Sequence, residues 1–358
     1  MEITLFLYEP VDPELVPEGI NVMQVTAPSS SLSGLLNHVD SLYEALQKSP
    51  VDTVIYWWCH SSALLCSLIL LRLMGIAVIT SLRFDHNIEI LQRGRKYKHR
   101  HMLATMRACD KIICLSRSSE IYLRMQGIDS IFIPNAIRKI SCPNKSVKRK
   151  NIIAFACRLH DAKKGLDDAL EIIKLVRHIY PDAKLMIIGR FEKKENEVKF
   201  YERVDKLGIR QAIHITGWTD DPSQYFNQCK VFLSTSLLEG FPNSLAEAQA
   251  CGLPVVMYDL DIDMSIGNTS IISVPQNDIN MAALKICEVF AADREWPVMS
   301  QEAISTAGKY SLDRLRSSLL YLLNNFLVKS DLHLYSENDY RRVLHYMQDY
   351  SDRTYKWR

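Results

Sequence analysis

The sequence lacks any C-x-x-C pair, although nine of its 358 residues are cysteines. An odd number of scattered cysteines, mostly beside apolar residues, predicts reduced core side chains rather than a zinc site or a disulfide framework. The chain also lacks a charge excess, because 43 basic residues face 41 acidic ones and leave a net charge of +2. Such a balance creates no global field for nucleic acid, so we expect no nucleic-acid partner.

Three further absences narrow the function. No basic segment followed by an apolar run opens the chain, so we expect a cytoplasmic protein rather than a secreted one. No G-x-G-x-x-G follows an early strand pattern, which disfavours a dinucleotide-dependent dehydrogenase. An uninterrupted membrane span is also missing, because Arg72 and Gly75 divide the apolar stretch 63–80 into a predicted helix and a buried strand.

Short apolar and β-branched runs alternate with helical patterns along most of the chain. This alternation predicts an α/β fold with mostly parallel sheets that helices cover on both faces. The predicted strands span residues 3–8, 20–25, 52–58, 77–82, 111–116, 130–135, 152–157, 183–189, 212–217, 231–236, 254–259 and 270–274.

Residues 138–151 separate two such series of strands. This segment contains six basic residues, one proline and no apolar periodicity, which is typical of a linker. The sequence therefore predicts two doubly wound domains, residues 1–137 and 152–330. The polar and aromatic tail, residues 331–358, has helical spacing and could pack back on the first domain.

The stretch "LLEGFPNSLAEAQACGLPVV" (237–256) predicts the end of a strand, a tight turn and a helix. Pro242 lacks an amide hydrogen, so Glu239 and Glu247 cannot belong to one continuous helix and should face a common space. The N-terminus of the helix after the turn offers backbone amides to an anion.

Two interpretations of Glu247 stay open. Ser244 and Glu247 have the spacing of a capping box, which is the favoured interpretation when this stretch is taken alone. The other interpretation is a ligand contact. Glu239 has no such local explanation, and it follows a predicted parallel strand at the carboxyl end, where open α/β sheets bind ligands.

A second cluster follows the first strand of the second domain. Arg158 comes directly after this strand, and Lys163, Lys164 and Gly165 precede the next helix. For Lys163 a solvated loop position is favoured, whereas Arg158 should emerge at the same sheet edge as Glu239. Cationic side chains and helix amides together can neutralise a departing diphosphate without a metal. The carboxylates would then accept hydrogen bonds from sugar hydroxyls.

The run from Glu239 to Glu247, followed by "AQACGLPVV", resembles the signature of the retaining glycosyltransferases of family 4. Arg158, Lys164 with Gly165, and "IPNAI" (133–137) strengthen the resemblance. It implies the GT-B fold, in which two Rossmann-like doubly wound domains face each other across a cleft. It also implies transfer of a sugar from a UDP- or GDP-sugar to a glycan or lipid-diphosphate-linked acceptor. Such proteins retain the anomeric configuration and need no cofactor or metal.

The resemblance assigns roles to individual residues. Arg158 and Lys164 would hold the donor diphosphate, and Glu239 would touch the transferred sugar as a positioning group; these three are the expected catalytic set. The other expected donor-binding residues are Gly240, Phe241, Pro242, Asn243, Ser244, Leu245 and Glu247. Further candidate contacts to donor or acceptor are Arg83, Lys163, Arg190 and Trp218.

The sequence departs from the family pattern mainly on the acceptor side. Residues 8–19 follow the first strand without the usual glycine-rich loop, so a non-catalytic nucleotide-binding or scaffold protein stays open as an alternative. Ser81-Leu-Arg83 resembles a subset that acts on N-acetylated sugars, so hexosyl and N-acetylhexosaminyl transfer both stay open. The D-x-D-x-D run at 259–263 is interpreted as solvated carboxylates rather than a metal site.

Basic residues gather in the segment 93–101, where Arg93, Arg95, Lys96, Lys98 and Arg100 occur. A solvated helix face is the slightly favoured interpretation. Contact with anionic lipid or a lipid-diphosphate acceptor is the alternative. We therefore expect a cytoplasmic protein, with peripheral contact at the inner face of the cell membrane as an open option, that serves surface polysaccharide or glycolipid biosynthesis.

Overall fold

The computed structural model describes residues 3–7, 20–27, 31–56, 61–82, 103–137, 149–159, 162–260 and 269–326. Twelve strands lie in these ranges, and each coincides with a predicted one. They are β1 (Ile3–Leu7), β2 (Ile20–Gln24), β3 (Thr53–Tyr56), β4 (Ala77–Leu82), β5 (Lys111–Cys114), β6 (Ser130–Phe132), β7 (Ile152–Ala156), β8 (Lys184–Ile188), β9 (Ile213–Gly217), β10 (Val231–Ser234), β11 (Val255–Tyr258) and β12 (Ile271–Val274).

Helices fill most of the segments between these strands, as an α/β fold requires. They are α1 (Leu32–Lys48), α2 (Ser61–Leu73), α3 (Arg117–Met125), α4 (Leu166–Ile179), α5 (Lys194–Leu207), α6 (Ser223–Phe226), α7 (Asn243–Ala250), α8 (Ile279–Ala291), α9 (Trp296–Gly308) and α10 (Leu312–Phe326). Residues 103–108 are also helical. Short 3-10 turns occur at Ala162–Lys164 and Arg210–Ala212.

The first domain contains a parallel sheet in the order β3-β4-β5-β6, while β1 and β2 pair with each other. The predicted division of its apolar stretch is confirmed, because α2 ends at Leu73, Gly75 turns with φ of +72° and β4 is buried throughout. Arg72 anchors the end of α2 to the segment before β5. Its guanidinium lies 2.8 Å from Asp110 Oδ1 and donates to the Ala108 carbonyl at 3.0 Å. Among the described helices, none has both the length and the hydropathy to cross a membrane.

The second domain contains a parallel sheet in the order β12-β11-β10-β7-β8-β9. From β7 the chain adds β8 and β9 on one side, then returns to the other side and adds β10, β11 and β12. The order of the strands therefore reverses between β7 and β10. In open α/β sheets such a reversal leaves a crevice at the carboxyl ends of the two strands, and ligands bind there.

Both faces of the second sheet are covered. On one face Phe155 and Leu233 pack in the cluster that contains the buried side of α4 and α8. On the other face Ala154 and Phe232 pack with the buried residues of α7. The second domain is therefore doubly wound, as the sequence predicts.

Helix α10 crosses back to the first domain. Its Leu322, 3% exposed, packs with Ile79 and Ile113 of the first sheet and with Ile133, which directly follows β6. This helix falls in the segment that the sequence assigns to the second domain. The predicted helical tail at 331–358 lies outside the described residues.

The end of the predicted linker is anchored on the second domain. Arg149 donates hydrogen bonds to the carbonyls of Phe226 at 2.8 Å and Cys251 at 2.6 Å. Its guanidinium also lies 5.0 Å from the centre of the Trp296 ring. Residue 149 therefore belongs structurally to the second domain, and linker residues 138–148 lie outside the described residues.

Several cysteines are buried thiols, which agrees with the prediction of reduced core residues. They are Cys109, Cys114, Cys229, Cys251 and Cys287. Burial raises the pKa of the Cys229 thiol to about 12. Its reactive thiolate form is therefore disfavoured at neutral pH.

Truncation of Leu322 tests the packing of α10 on the first sheet. We expect Leu322→Ala to lower the free energy of unfolding by about 2–5 kcal/mol, because it leaves a cavity between the helix and the sheet. Tyr321→Ala is the matched control, since Tyr321 is 65% exposed and surface changes alter stability by about 0.5 kcal/mol or less. Urea denaturation measures both, and equal effects would contradict the packing.

Candidate functional site

The site is built by two loops that leave β7 and β10 at the strand-order reversal. The Leu237 amide donates to the Lys163 carbonyl at 2.8 Å. The Thr235 hydroxyl lies 3.0 Å from the Lys164 carbonyl and 2.7 Å from the Gly165 carbonyl, and donates to them. Thr235 is fully buried, so loss of these bonds would leave a buried hydroxyl unsatisfied. The two loops therefore form one unit.

Gly165 is required by this close approach. Its φ is +65°, and a Cβ atom at this position would lie 2.2 Å from the Thr235 carbonyl oxygen. A left-handed conformation at this position favours glycine, and the contact excludes any side chain. The glycine places Lys164 directly before α4 and beside the β10 loop.

A hydrogen bond from the end of β11 holds the start of helix α4. The Tyr258 hydroxyl, at the end of β11, donates to Asp168 Oδ2 in the first turn of α4 at 2.6 Å. Burial and the bond to this carboxylate both raise the pKa of the Tyr258 hydroxyl well above its ordinary value. Tyr258 therefore stays a neutral donor, and the start of α4 is held against the sheet.

Lys164 and Glu239 meet at the centre of the joined loops. Lys164 Nζ lies 2.6 Å from Glu239 Oε1, and their side chains are 21% and 13% exposed. A charge-assisted hydrogen bond of this length fixes both side chains. An ammonium group has three N–H donors, so two remain for a further anion. The expectation that the two clusters share one corner is confirmed for this pair.

Helix α7 begins two residues earlier than a capping box with Ser244 as N-cap requires. Its first residue is Asn243, its N-cap is Pro242, and no side chain caps it. Ser244 is therefore inside the first turn, and the capping-box interpretation of Glu247 is wrong. Pro242 favours this start, because its ring fixes φ and it has no amide hydrogen that would need an acceptor.

The first turn of α7 offers fewer amides than the sequence indicates. The Asn243 amide donates to the Phe241 carbonyl at 3.0 Å, so it is not available to an anion in this conformation. Ser244 and Leu245 remain at the positions where helix amides lack an intrahelical partner. The predicted anion contact at the backbone of Asn243 is therefore corrected to the two residues that follow.

The turn before α7 packs against the segment between α9 and α10, which leads to the first domain. Phe241 is 8% exposed, and its ring centre lies 5.1 Å from that of Tyr310. The Tyr310 carbonyl accepts a bond from the Ile137 amide at 2.8 Å. On the open side, Asn135 Nδ2 donates to Asn243 Oδ1 at 3.1 Å. Both described segments that run between the domains, one at Asn135 and one at Tyr310, thus contact this turn.

The remaining predicted residues lie along the same edge of the second sheet. Arg158 is exposed two residues after β7, and the Lys163 side chain is exposed. Arg190 and Trp218 follow β8 and β9, with the guanidinium 5.9 Å from the ring centre. Gly240 and Glu247 are half-buried in the loop and helix after β10. Arg83 and Asp261 to Asp263 lie outside the described residues.

Two residues of the site are not evident from the sequence. Thr235 joins the loops, but the only signal is a polar residue at the end of an apolar strand. Asn135 lies in the run "IPNAI", which the resemblance singles out without a role for this side chain. Each acts through a contact between segments distant in the sequence, which local patterns do not encode.

Comparison with known proteins agrees with this geometry. Residues 150–292 match the family model described as "Glycosyl transferases group 1". These residues are therefore similar to the group 1 glycosyltransferases. The solved sucrose-phosphate synthase of Thermosynechococcus elongatus superposes with a TM-score of 0.77 at 16% identity, over 92% of this chain and 90% of that one. The chain as a whole has the GT-B fold.

Curated relatives match part of the chain. One is an uncharacterised glycosyltransferase of Haemophilus influenzae, 28% identical over 42% of this chain and 42% of its own length. Another is the UDP-Gal:alpha-D-GlcNAc-diphosphoundecaprenol alpha-1,3-galactosyltransferase of Escherichia coli, 27% identical over 62% of this chain and 61% of its own length. The chain therefore matches less than two thirds of the length of either relative.

Replacement of Gly165 tests the joined loops. We expect Gly165→Ala to destabilise the protein by at least about 1 kcal/mol more than Gly208→Ala. Gly208 is a matched control, because its φ is +69° and no atom lies within 4 Å of the point that an added Cβ would occupy, so only backbone strain is added. Thermal and urea denaturation compare the variants. Equal destabilisation would show that the Thr235 contact does not constrain the loop.

Proposed function

We propose that the chain is a retaining glycosyltransferase that moves a sugar from a UDP-sugar to a diphosphate-linked glycan in surface polysaccharide or glycolipid biosynthesis. The observation that carries the proposal is the meeting of Lys164, Glu239 and the open first turn of α7 at the strand-order reversal. Positive charge and amides there suit a diphosphate, and the carboxylate suits hydroxyl groups. The name of the Escherichia coli relative supports a UDP-sugar donor and a diphosphate-lipid acceptor.

The chemistry requires charge stabilisation on the leaving group. The bond between the anomeric carbon and the diphosphate oxygen breaks while an acceptor hydroxyl oxygen forms the new bond to that carbon. The hydroxyl proton passes to the departing phosphate oxygen on the same face. Lys164 and the amides of Ser244 and Leu245 stabilise the growing negative charge, and one preorganised donor is worth about 3 kcal/mol.

Glu239 positions the sugar in this proposal. One of its oxygens is bonded to Lys164. Its other oxygen can accept a bond from a sugar hydroxyl, because an ionised carboxylate has several acceptor sites. Glu239 thereby couples the position of the sugar to the position of the cation that stabilises the leaving group.

The protein acts without a metal in this proposal. Arg158 and Lys164 supply the positive charge that a divalent ion would otherwise supply. Glu247 binds the ribose of the donor, and the transferred group is a hexose or an N-acetylhexosamine. The enzyme works at the inner face of the cell membrane, where a lipid-linked acceptor would be presented.

Lys164→Ala tests the cation. We expect turnover to fall by about 10²-fold or more, because a charged donor to the leaving group is removed. UDP release from a panel of UDP-sugars, with and without acceptor, measures this loss. Lys285→Ala is the control, since Lys285 also pairs with a carboxylate, that of Glu288 at 2.8 Å, but on the surface of α8.

An unchanged rate in Lys164→Ala would remove the lysine from the mechanism. No UDP release from any donor in the wild type, with UDP binding intact, would favour the non-catalytic nucleotide-binding alternative. GDP-sugars in the same panel test the choice of base.

Glu239→Gln separates the two members of the pair. We expect turnover to fall by about tenfold or more, while the affinity for UDP stays the same or rises, because the carboxylate no longer competes for Lys164. Isothermal titration of UDP in the presence of EDTA measures the affinity. Weaker UDP binding in this variant would contradict the assignment of Glu239 to the sugar.

A further inference from the structure

An open groove of about 490 Å³ lies where the first domain meets the start of α10. One wall comes from the start of α3, from the end of β6 and from the residues after β6, including Arg117, Phe132 and Asn135. The other wall comes from the crossing segment and the first turns of α10, including Lys309, Tyr310 and Arg314. The groove is thus made of segments that are far apart in the sequence and that the fold brings together.

The groove is strongly cationic. Three of its lining residues are basic, Arg117, Lys309 and Arg314, and none of the residues that line it is acidic. Asp313 precedes Arg314 but does not line the groove. Within the described residues no ion pair involves the Lys309 or Arg314 side chain, and both residues are exposed. Three positive charges around one concave surface attract a multiply charged anion.

The walls are also suited to a ring-bearing ligand. The Arg117 guanidinium lies 4.9 Å from the centre of the Phe132 ring, which orients its planar donors. Asn135, Tyr310 and Ser311 add polar groups beside this aromatic surface. A planar guanidinium binds phosphate oxygens in bidentate geometry better than a lysine does.

The groove opens beside the proposed donor site. Asn135 lines the groove, and its side-chain amide donates to Asn243 Oδ1 in the first turn of α7. Tyr310 lines the groove, and its ring contacts Phe241 in the turn before α7. A ligand in the groove therefore lies next to the loop that would hold the donor.

We propose that this groove binds the phosphate-bearing part of the acceptor, a diphosphate joined to a glycan. The proposal rests on the proposed function. Lys309, Arg314 and Arg117 contact the phosphate oxygens, and the aromatic walls contact the adjoining sugar. A neutral glycan would gain nothing from three cations, whereas a diphosphate carries enough negative charge to match them.

Pyrophosphate is the probe for the first experiment. It is titrated into the full chain at saturating UDP, so that the donor site is occupied, and the heat of binding is measured. We expect Lys309→Ala/Arg314→Ala to weaken pyrophosphate binding by about tenfold. Raised salt should weaken binding to the wild type more than to this double variant.

Arg316→Ala/Lys285→Ala is the matched control. It removes the same charge, and Arg316 lies two residues from Arg314 on α10 but does not line the groove. We expect the control to bind pyrophosphate within about twofold of the wild type, since distant exposed charges contribute little. Unchanged thermal unfolding verifies that both variants fold.

Equal pyrophosphate affinity in the two double variants, or no binding to the wild type, would overturn the proposal. Affinity for UDP alone is measured separately: its absence in the wild type would refute the proposed function instead. Phosphatidylcholine vesicles with and without a polyprenyl diphosphate then identify the source. Binding of the protein to vesicles that requires this lipid, Lys309 and Arg314 would identify a lipid-linked diphosphate as the ligand. Binding of pyrophosphate without binding to the vesicles would identify a soluble diphosphate.

Discussion

The reversal of strand order between β7 and β10 is the constraint on which the site depends. It places two loops side by side that are about 70 residues apart in the sequence, as the 2.7 Å bond from Thr235 to the Gly165 carbonyl shows. Once the loops are joined, the Lys164 ammonium has only a short distance to span to the Glu239 carboxylate. The proposed chemistry follows from this placement, because an anion-binding cation and a hydroxyl-binding carboxylate are held at one corner.

The two domains are coupled through the same corner. Phe241 packs on Tyr310, the Tyr310 carbonyl is bonded to Ile137, and α10 continues from there onto the first sheet. The turn before α7 is therefore supported by a segment that belongs to both domains. A movement of the first domain would therefore shift the residues that support the proposed donor site. Asn135 and Tyr310, which contact this turn, also line the cationic groove.

The sequence predicted the elements better than their contacts. All twelve strands, the break at Arg72 and Gly75, and the strand-turn-helix around Pro242 were evident from local patterns. For Glu247 the local spacing favoured a capping box over a ligand contact when the stretch was taken alone, but α7 begins at Asn243, directly after Pro242, so Ser244 is not its N-cap. The bond from Thr235 to the Lys164 loop and the return of α10 to the first sheet join distant segments, so no local pattern could reveal them.

A crystal structure with UDP in the presence of EDTA tests the central claim most directly. The account predicts a diphosphate oxygen at hydrogen-bond distance, about 3 Å, from Lys164 Nζ and from the amides of Ser244 or Leu245. Such a complex would place the leaving group at the strand-order reversal without a metal. A diphosphate bound elsewhere, or binding that is lost with EDTA, would contradict the account.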